Sequence, residues 1–156
     1  MKHITYKVSI DPDVKYSLSE FRLLLAIYLS SPDGWEQYGY TFEEDQKYGH
    51  VHIRLSSTPT ITKSCGLAPN LSCAELGGKK MYLNASRWLK GAKQSKLDLE
   101  NYRQYMVSHE MGHILGKEHD VCPCKGCPAP IMLQQTLGLH GCSPNTDVRN
   151  GKNLNK

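Results

Sequence analysis

Alternating apolar and polar positions mark four strand candidates along the chain. Residues 3–10, HITYKVSI, alternate and are rich in β-branched side chains, which predicts a strand. A short strand is predicted near Tyr38–Phe42, a clearer one at His50–Leu55, and a last one at Lys80–Ala85. Helical patterns stand between and after these strands, which is typical of an α/β chain.

Helical periodicity occurs twice, each time behind a residue suited to cap a helix. Ser17 and Glu20 have the spacing of a capping box. The apolar residues of the helix that they open are Phe21, Leu24, Leu25 and Tyr28. Asp98 can cap a second helix. One face of this second helix carries Leu99, Tyr102, Met106, His109 and His113. Two main helices are therefore expected to pack on the sheet.

Two segments follow neither period. Residues 56–79 are irregular and contain Cys65 and Cys73, so a segment held by a crosslink is expected there. Residues 145–156 are polar with few apolar anchors, which predicts a frayed tail. The expected organisation is a single domain over residues 1–144 followed by this polar tail.

The stretch HEMGHILGKEH, which begins at His109, has the spacing of a zinc site. His109 and His113 lie one above the other on a helix face and can bind one zinc ion. Glu110 is the expected general base. Gly116 can turn the chain sharply because glycine tolerates a positive φ, and the turn returns His119 as a third ligand. A catalytic zinc needs three protein ligands and an open position, and this stretch supplies that number.

Composition narrows the class of protein and its partners. The chain has 156 residues, of which 39% are hydrophobic and 22% charged, as in a globular domain with a sizeable core. No apolar run approaches the ~20 residues that span a membrane. The net charge of +4 is scattered and forms no dense basic patch. We therefore expect no nucleic-acid or membrane partner, and we expect a monomer.

The six cysteines are compatible with two cellular compartments, one oxidising and one reducing. Cys65 and Cys73 bracket a loop rich in Gly, Pro, Asn and Ser. Four more follow the histidine stretch: Cys122, Cys124, Cys127 and Cys142. Such cysteines form disulfides in an oxidising, extracellular compartment, whereas in a reducing cytosol the last four would hold a structural zinc ion. The first ten residues lack the apolar core of a signal peptide, so a cytosolic protein stays the alternative to a mature secreted domain.

The histidine stretch resembles the signature of the metzincin metallopeptidases, which also have a methionine turn below the zinc. Met132, at the end of the segment APIM, fits that turn. The succession of strand, helix, strands and long helix is similar to the N-terminal subdomain of metzincins. The resemblance implies an α/β fold with a twisted mixed sheet and two main helices. It also implies an N-terminal subdomain of residues 1–116 and a short irregular C-terminal subdomain of residues 117–144.

Among metzincins the chain most resembles a family of bacterial metzincin-like proteins that are thought to be secreted and whose function is uncharacterised. The similar segments are the earlier cysteine pair, LNASRW, YRQY and CSPN. This resemblance implies one bridge between Cys65 and Cys73 and another between Cys122 and Cys142. The last two cysteines, Cys124 and Cys127, stand outside the family pattern and are a possible third pair.

Two sequence features relate this chain to other metzincin subgroups or distinguish it from them. Adamalysins place an aspartate directly after the third histidine, as Asp120 stands here, and they are the second choice. Astacins and serralysins have a tyrosine after the methionine that can reach the zinc, whereas no tyrosine follows Tyr105 here. Negative charge developing on a substrate would then be stabilised by zinc, by backbone amides, or by Gln134 or Gln135.

The function that the resemblance implies is a zinc-dependent endopeptidase. One Zn²⁺ per chain would be held by His109, His113 and His119, with Glu110 as the general base and Met132 as support that is not a ligand. The implied substrate is a peptide or protein, which is expected to lie extended along an exposed sheet edge. The alternatives are a zinc-containing binding protein without useful turnover and a small-substrate zinc hydrolase on the same scaffold.

Overall fold

Strands and helices alternate through residues 2–66 and 69–150, the part of the chain described by a computed structural model. In chain order they are β1 (Lys2–Ile10), α1 (Leu18–Leu29), β2 (Tyr40–Glu44), β3 (Val51–Ser56), α2 (Thr58–Cys65), β4 (Cys73–Ala74), β5 (Lys80–Asn84), α3 (Ala85–Lys90) and α4 (Leu99–Ile114). Short 3-10 helices lie at Trp35–Tyr38 and Lys93–Ser95.

The strands form one five-stranded sheet in the order β2-β1-β3-β5-β4. β1 pairs in parallel with β2 and β3, and β3 pairs in parallel with β5. β4 runs antiparallel to β5, with Cys73 opposite Tyr82, and stands at one end of the strand order among the described residues. The prediction of a mixed sheet is confirmed, and β4 is one of its two edge strands.

The main core lies between one face of this sheet and the helices α1 and α4. Alternation along β3 buries Val51, Ile53 and Leu55 completely, as the sequence pattern predicts. Ser17 caps α1 by accepting a hydrogen bond from the Glu20 backbone N–H. The apolar face of α1 is buried against the core through Phe21, Leu25, Tyr28 and Leu29. The capping signal and the helical period therefore placed α1 correctly.

Helix α2 corrects the expectation that residues 56–79 are irregular. The segment begins with an eight-residue helix and later contributes β4. The threonine-rich helix has a single buried apolar side chain, Ile61, so its sequence carries no helical stripe. A distant residue stabilises its start, because the Asp11 carboxylate accepts a hydrogen bond from the Ser57 N–H at 3.1 Å.

The segment that follows α4 folds back onto the body of the domain. A small second cluster of buried apolar residues holds it together: Ala129, Leu133, Leu139 and Cys142. The expected frayed tail differs from the structure over residues 145–150. Val148 is fully buried in the main core, and its N–H donates to the Asp33 carbonyl at 3.0 Å. The rest of that expected tail, residues 151–156, lies outside the described residues.

The longest helix, α4, has 16 residues and is mostly buried. Within residues 2–66 and 69–150, no helix combines the length and the apolar character needed to cross a membrane.

Candidate functional site

Helix α4 and the turn behind it bring three histidines together. Asp98 caps the helix by accepting from the Asn101 N–H, and the helix ends at Ile114. Gly116 then adopts a φ of 91°, which reverses the chain at low cost because glycine has no Cβ.

The reversal returns His119 to the two helical histidines. One nitrogen from each of His109, His113 and His119 lies within 4.8 Å of the others. The structure therefore assembles the three predicted ligands in one place.

Backbone carbonyls fix the orientation of two of these rings. Nδ1 of His109 lies 2.8 Å from the Ile131 carbonyl oxygen, and Nδ1 of His113 lies 2.8 Å from that of Lys117. A carbonyl can only accept, so each Nδ1 carries the proton and each Nε2 keeps a free lone pair. This is the arrangement that metal-binding histidines use to fix the tautomer and direct the ligand nitrogen.

The spacing of the Nε2 atoms fits a shared cation. Nε2 of His113 lies 3.1 Å from Nε2 of His119, in a cluster where all three rings are within contact distance. The lone pair of His113 points toward the neighbouring nitrogen, and a cation between the two nitrogens could be coordinated by both. Imidazole nitrogens are good ligands for zinc, copper, iron and nickel ions, so these three histidines could hold a metal ion.

Burial keeps the rings neutral, as ligands must be. Burial, together with the neighbouring His113, lowers the pKa of His109 to about 3. Burial likewise lowers the pKa of His113 and of His119. Neutral imidazoles with free lone pairs bind cations without first releasing a proton.

Glu110 lies beside this cluster with an unusual environment for a carboxyl group. It is 5% exposed, and its Oε1 has no hydrogen-bond partner among the described residues. Burial raises the pKa of Glu110 to about 8. A buried carboxyl oxygen without a partner costs free energy, so its retention indicates a ligand, a cation or a water molecule that it serves.

Met132 lies under the histidines, packed against α4. It is 1% exposed, and a Cβ added to Gly112 would overlap its sulfur atom. The residue before it supplies the carbonyl that holds His109, and the Met132 carbonyl accepts from the Asp120 N–H at 2.9 Å. This segment therefore supports the ring of His109 and the chain beside the third histidine.

The histidines open into a cavity of about 680 Å³. Residues of α4 line it together with Cys73 and Ala74 of the edge strand β4. Tyr105 and Met106 also line this cavity, although the sequence pattern did not assign them to the site. They stand four and three residues before His109, a helical spacing that could have identified them.

The two glutamines considered for the oxyanion have different environments. Gln134 is half-buried and lines the cavity. Gln135 is fully buried, donates to the Asn145 carbonyl at 2.9 Å and accepts from the Asn145 N–H at 3.2 Å. Gln135 therefore anchors the C-terminal segment, which leaves Gln134 as the glutamine that faces the cleft.

All six cysteines are paired in the structure, as Cys65–Cys73, Cys122–Cys142 and Cys124–Cys127. The first bond joins the end of α2 to β4, and both of its cysteines line the cavity. Bonded cysteines offer no thiolates, so the structure gives no support to a structural zinc ion held by the last four. Three disulfides are typical of a protein of an oxidising compartment.

Comparisons with known proteins place the whole chain in one family. A search of curated proteins finds no match. Among solved structures, that of myroilysin is similar with 15% sequence identity and a TM-score of 0.48, covering 81% of this chain and 54% of that chain. The chain thus spans about half the length of that structure. The model of the family described as "Protein of unknown function (DUF3152)" matches residues 1–149. Since that match covers nearly the entire sequence, the chain belongs to the DUF3152 family.

Proposed function

We propose that this protein is a zinc-dependent endopeptidase of the metzincin type. The observation that supports the proposal is that two features occur together in one cavity. Three neutral histidine nitrogens converge within 4.8 Å, and the unpartnered buried oxygen of Glu110 stands beside them. A structural metal site has no use for a buried carboxyl group without a partner, whereas a hydrolase needs a base at that place.

The residues that would hold the zinc are His109, His113 and His119, which leaves one tetrahedral position open. A bound zinc ion supplies Lewis-acid chemistry, acidifying water and polarising a carbonyl group. The Ile131 and Lys117 carbonyls keep the ring nitrogens of the first two histidines directed inward. Met132 supports this arrangement from below as the proposed methionine turn.

Glu110 would act as the general base and then as the general acid. A cation held by the three histidines would favour the ionised form of Glu110, which burial alone disfavours. Its Oε1 would then accept a proton from water as the water oxygen attacks the scissile carbonyl carbon, and would give that proton to the leaving amine nitrogen as the C–N bond breaks. Since this Oε1 has no hydrogen-bond partner among the described residues and Glu110 lines the cavity, the carboxyl group can serve the reacting water. We expect the side-chain amide of Gln134, which lines the cavity, to donate toward the substrate carbonyl oxygen.

The substrate would lie extended along β4. Within the described residues this strand is an edge of the sheet, and both of its residues line the cavity, so we expect its outer edge to pair with a peptide backbone. The Cys65–Cys73 bond holds this two-residue strand to α2. An edge fixed in this way can align a peptide bond with the histidines and Glu110.

Metal analysis combined with a peptide-library assay tests the proposal. The protein loaded with zinc is expected to contain one ion per chain and to cleave internal peptide bonds. Removal of the ion with a chelator should abolish cleavage, and added zinc should restore it. A zinc-loaded protein that cleaves no member of a diverse library would contradict the proposal and favour a binding protein.

A further inference from the structure

A second recess adjoins the cleft at His119. It measures about 470 Å³, a size within the range of small-ligand sites. Among the described residues its lining contains none of α4, and it shares His119 and Gln134 with the main cavity. The two recesses therefore meet at the third histidine, within reach of a peptide that occupies the cleft.

Two chain segments form the walls of this second recess. One wall is the segment from His119 to Cys122, and the other runs from Leu133 to His140. Near one end the Asp120 N–H donates to the Met132 carbonyl at 2.9 Å, and at the other end the Cys122–Cys142 bond crosslinks the segments. Because both ends are tied, the recess is formed before any ligand arrives and loses little entropy on binding.

The lining of the recess mixes polar residues with exposed apolar ones. Val121 on one wall is 65% exposed, and Leu137 on the other is 55% exposed. Leu133 and the disulfide of Cys122 lie behind them. His140, at the far rim, has a φ of 49°, an uncommon conformation for a residue other than glycine. Exposed apolar groups that face each other across a preformed recess are typical of ligand sites.

We propose that this recess binds an aliphatic side chain of the peptide that occupies the cleft. The inference rests on the proposed peptidase function, since the recess meets the cleft at His119 and a peptide in the cleft supplies the occupant. The described lining carries no lysine or arginine, its one carboxylate residue, Asp120, is 7% exposed, and Val121 and Leu137 are the exposed apolar residues that an entering group would contact. An uncharged branched side chain on the flank of the scissile bond buries both residues, and the enzyme selects peptides that carry one there.

Binding of a small probe to the zinc-loaded protein tests the recess without any need for turnover. Residue-resolved amide NMR shifts are followed during titration with N-acetyl-leucine amide, with N-acetyl-asparagine amide as the near-isosteric polar control. The leucine probe should give saturable shifts in the two walls, residues 119–122 and 133–140, and the asparagine probe should not. Leucine shifts confined to residues 102–110 of α4, or no saturable shift, would overturn the proposal.

Matched variants make the test specific. Val121→Thr and Leu137→Asn keep the approximate size of exposed side chains and should each weaken the leucine probe by about threefold or more, as expected when apolar contact area is lost. Leu23→Asn on α1, where the leucine is 63% exposed and far from the recess, serves as the control and should leave the affinity unchanged. Equal affinities in all variants would also overturn the proposal.

Cleavage profiles separate this inference from the function on which it rests. In a peptide library the wild-type protein should enrich an aliphatic residue at one position beside the cut, and Val121→Thr and Leu137→Asn should reduce that enrichment. If the probe binds in the recess but zinc-loaded protein cleaves nothing, the peptidase function fails while the aliphatic site stands. If cleavage proceeds without aliphatic preference and the probe does not bind, the recess has no such role.

Discussion

Substitution of Gly112 by alanine tests how closely α4 packs on the segment beneath the histidines. A Cβ at this position would overlap the sulfur of Met132 and would lie 3.1 Å from the Trp35 ring. Trp35 cannot retreat, because it is 2% exposed and its Nε1 donates to the Ser108 carbonyl at 2.8 Å. Met132 must therefore move, together with the carbonyls on which His109 and the Asp120 backbone depend.

Two effects of opposite sign determine the magnitude for Gly112→Ala. Overpacking a tight core costs about 1–3 kcal/mol. Alanine is better than glycine inside a helix by about 1 kcal/mol, which offsets part of that cost. We expect the free energy of unfolding to fall by about 1 kcal/mol, and zinc affinity to fall with it because the support of His109 is displaced. Urea unfolding of the metal-free protein and a competitive zinc titration measure the two quantities.

A double-mutant cycle shows whether the clash with Met132 is the cause. Met132→Ala alone should cost about 2–5 kcal/mol because it leaves a cavity. In the combined variant the new methyl group enters that cavity, so the total cost should be smaller than the sum by about 1 kcal/mol or more. A Gly112→Ala protein more stable than wild type, or strict additivity with Met132→Ala, would refute the packing argument.

Three further predictions concern the ligands, an ion pair and a crosslink. His119→Ala should weaken zinc binding by more than the ~100-fold typical of outer-shell losses, whereas His140→Ala should leave it unchanged in the same titration. Burial raises the pKa of Asp11, but hydrogen bonds from Thr60, Arg54 and Ser57 outweigh it and hold the pKa below its ordinary value. At pH values above the ordinary pKa of aspartate, wild type should therefore have a higher free energy of unfolding than Asp11→Asn. This difference should shrink as the pH falls through the lower pKa that Asp11 has in the folded state. Replacing Cys122 and Cys142 by serine removes a crosslink across a sequence separation of 20 and should lower the unfolding free energy by about 3 kcal/mol; a loss below 1 kcal/mol would show that the segment is ordered without the bond.

Local sequence signals predicted those parts of the fold that local physics determines. Ser17 and Asp98 cap α1 and α4 as expected, because a capping side chain acts within three residues of itself. The alternation in β1 and β3 was equally clear, since one face of each strand is buried against the helices. The helical spacing of His109 and His113 likewise predicted that their rings share one face.

Elements that depend on distant partners were not predictable in this way. Helix α2 has one buried apolar residue, and its start is stabilised by Asp11 from the end of another strand. β4 has two residues, too few to show a period, and pairing with β5 is what defines it. Val148 is anchored by the Asp33 carbonyl, more than a hundred residues earlier, which no local pattern reveals.

The candidate site also has features that local sequence predicts and features that depend on distant residues. Its ligands and Glu110 follow from residue type and spacing, but the groups that orient them are the carbonyls of Ile131 and Lys117. Every residue has a carbonyl, so the sequence cannot indicate which ones will act as acceptors. The environment of Glu110 also results from packing, because burial of its Oε1 depends on the folded segment around it.

Steady-state hydrolysis by wild type and Glu110→Gln, compared at equal zinc content, tests the central claim most directly. The substrate is the peptide that wild type cleaves fastest in the library assay, and the zinc content of both proteins is measured on the same samples. Because glutamine keeps the size of the side chain and cannot accept the proton, kcat/KM should fall by about 10²-fold or more while zinc stays at one ion per chain. A Glu110→Gln protein that holds its zinc and hydrolyses the peptide at the wild-type rate would contradict the account.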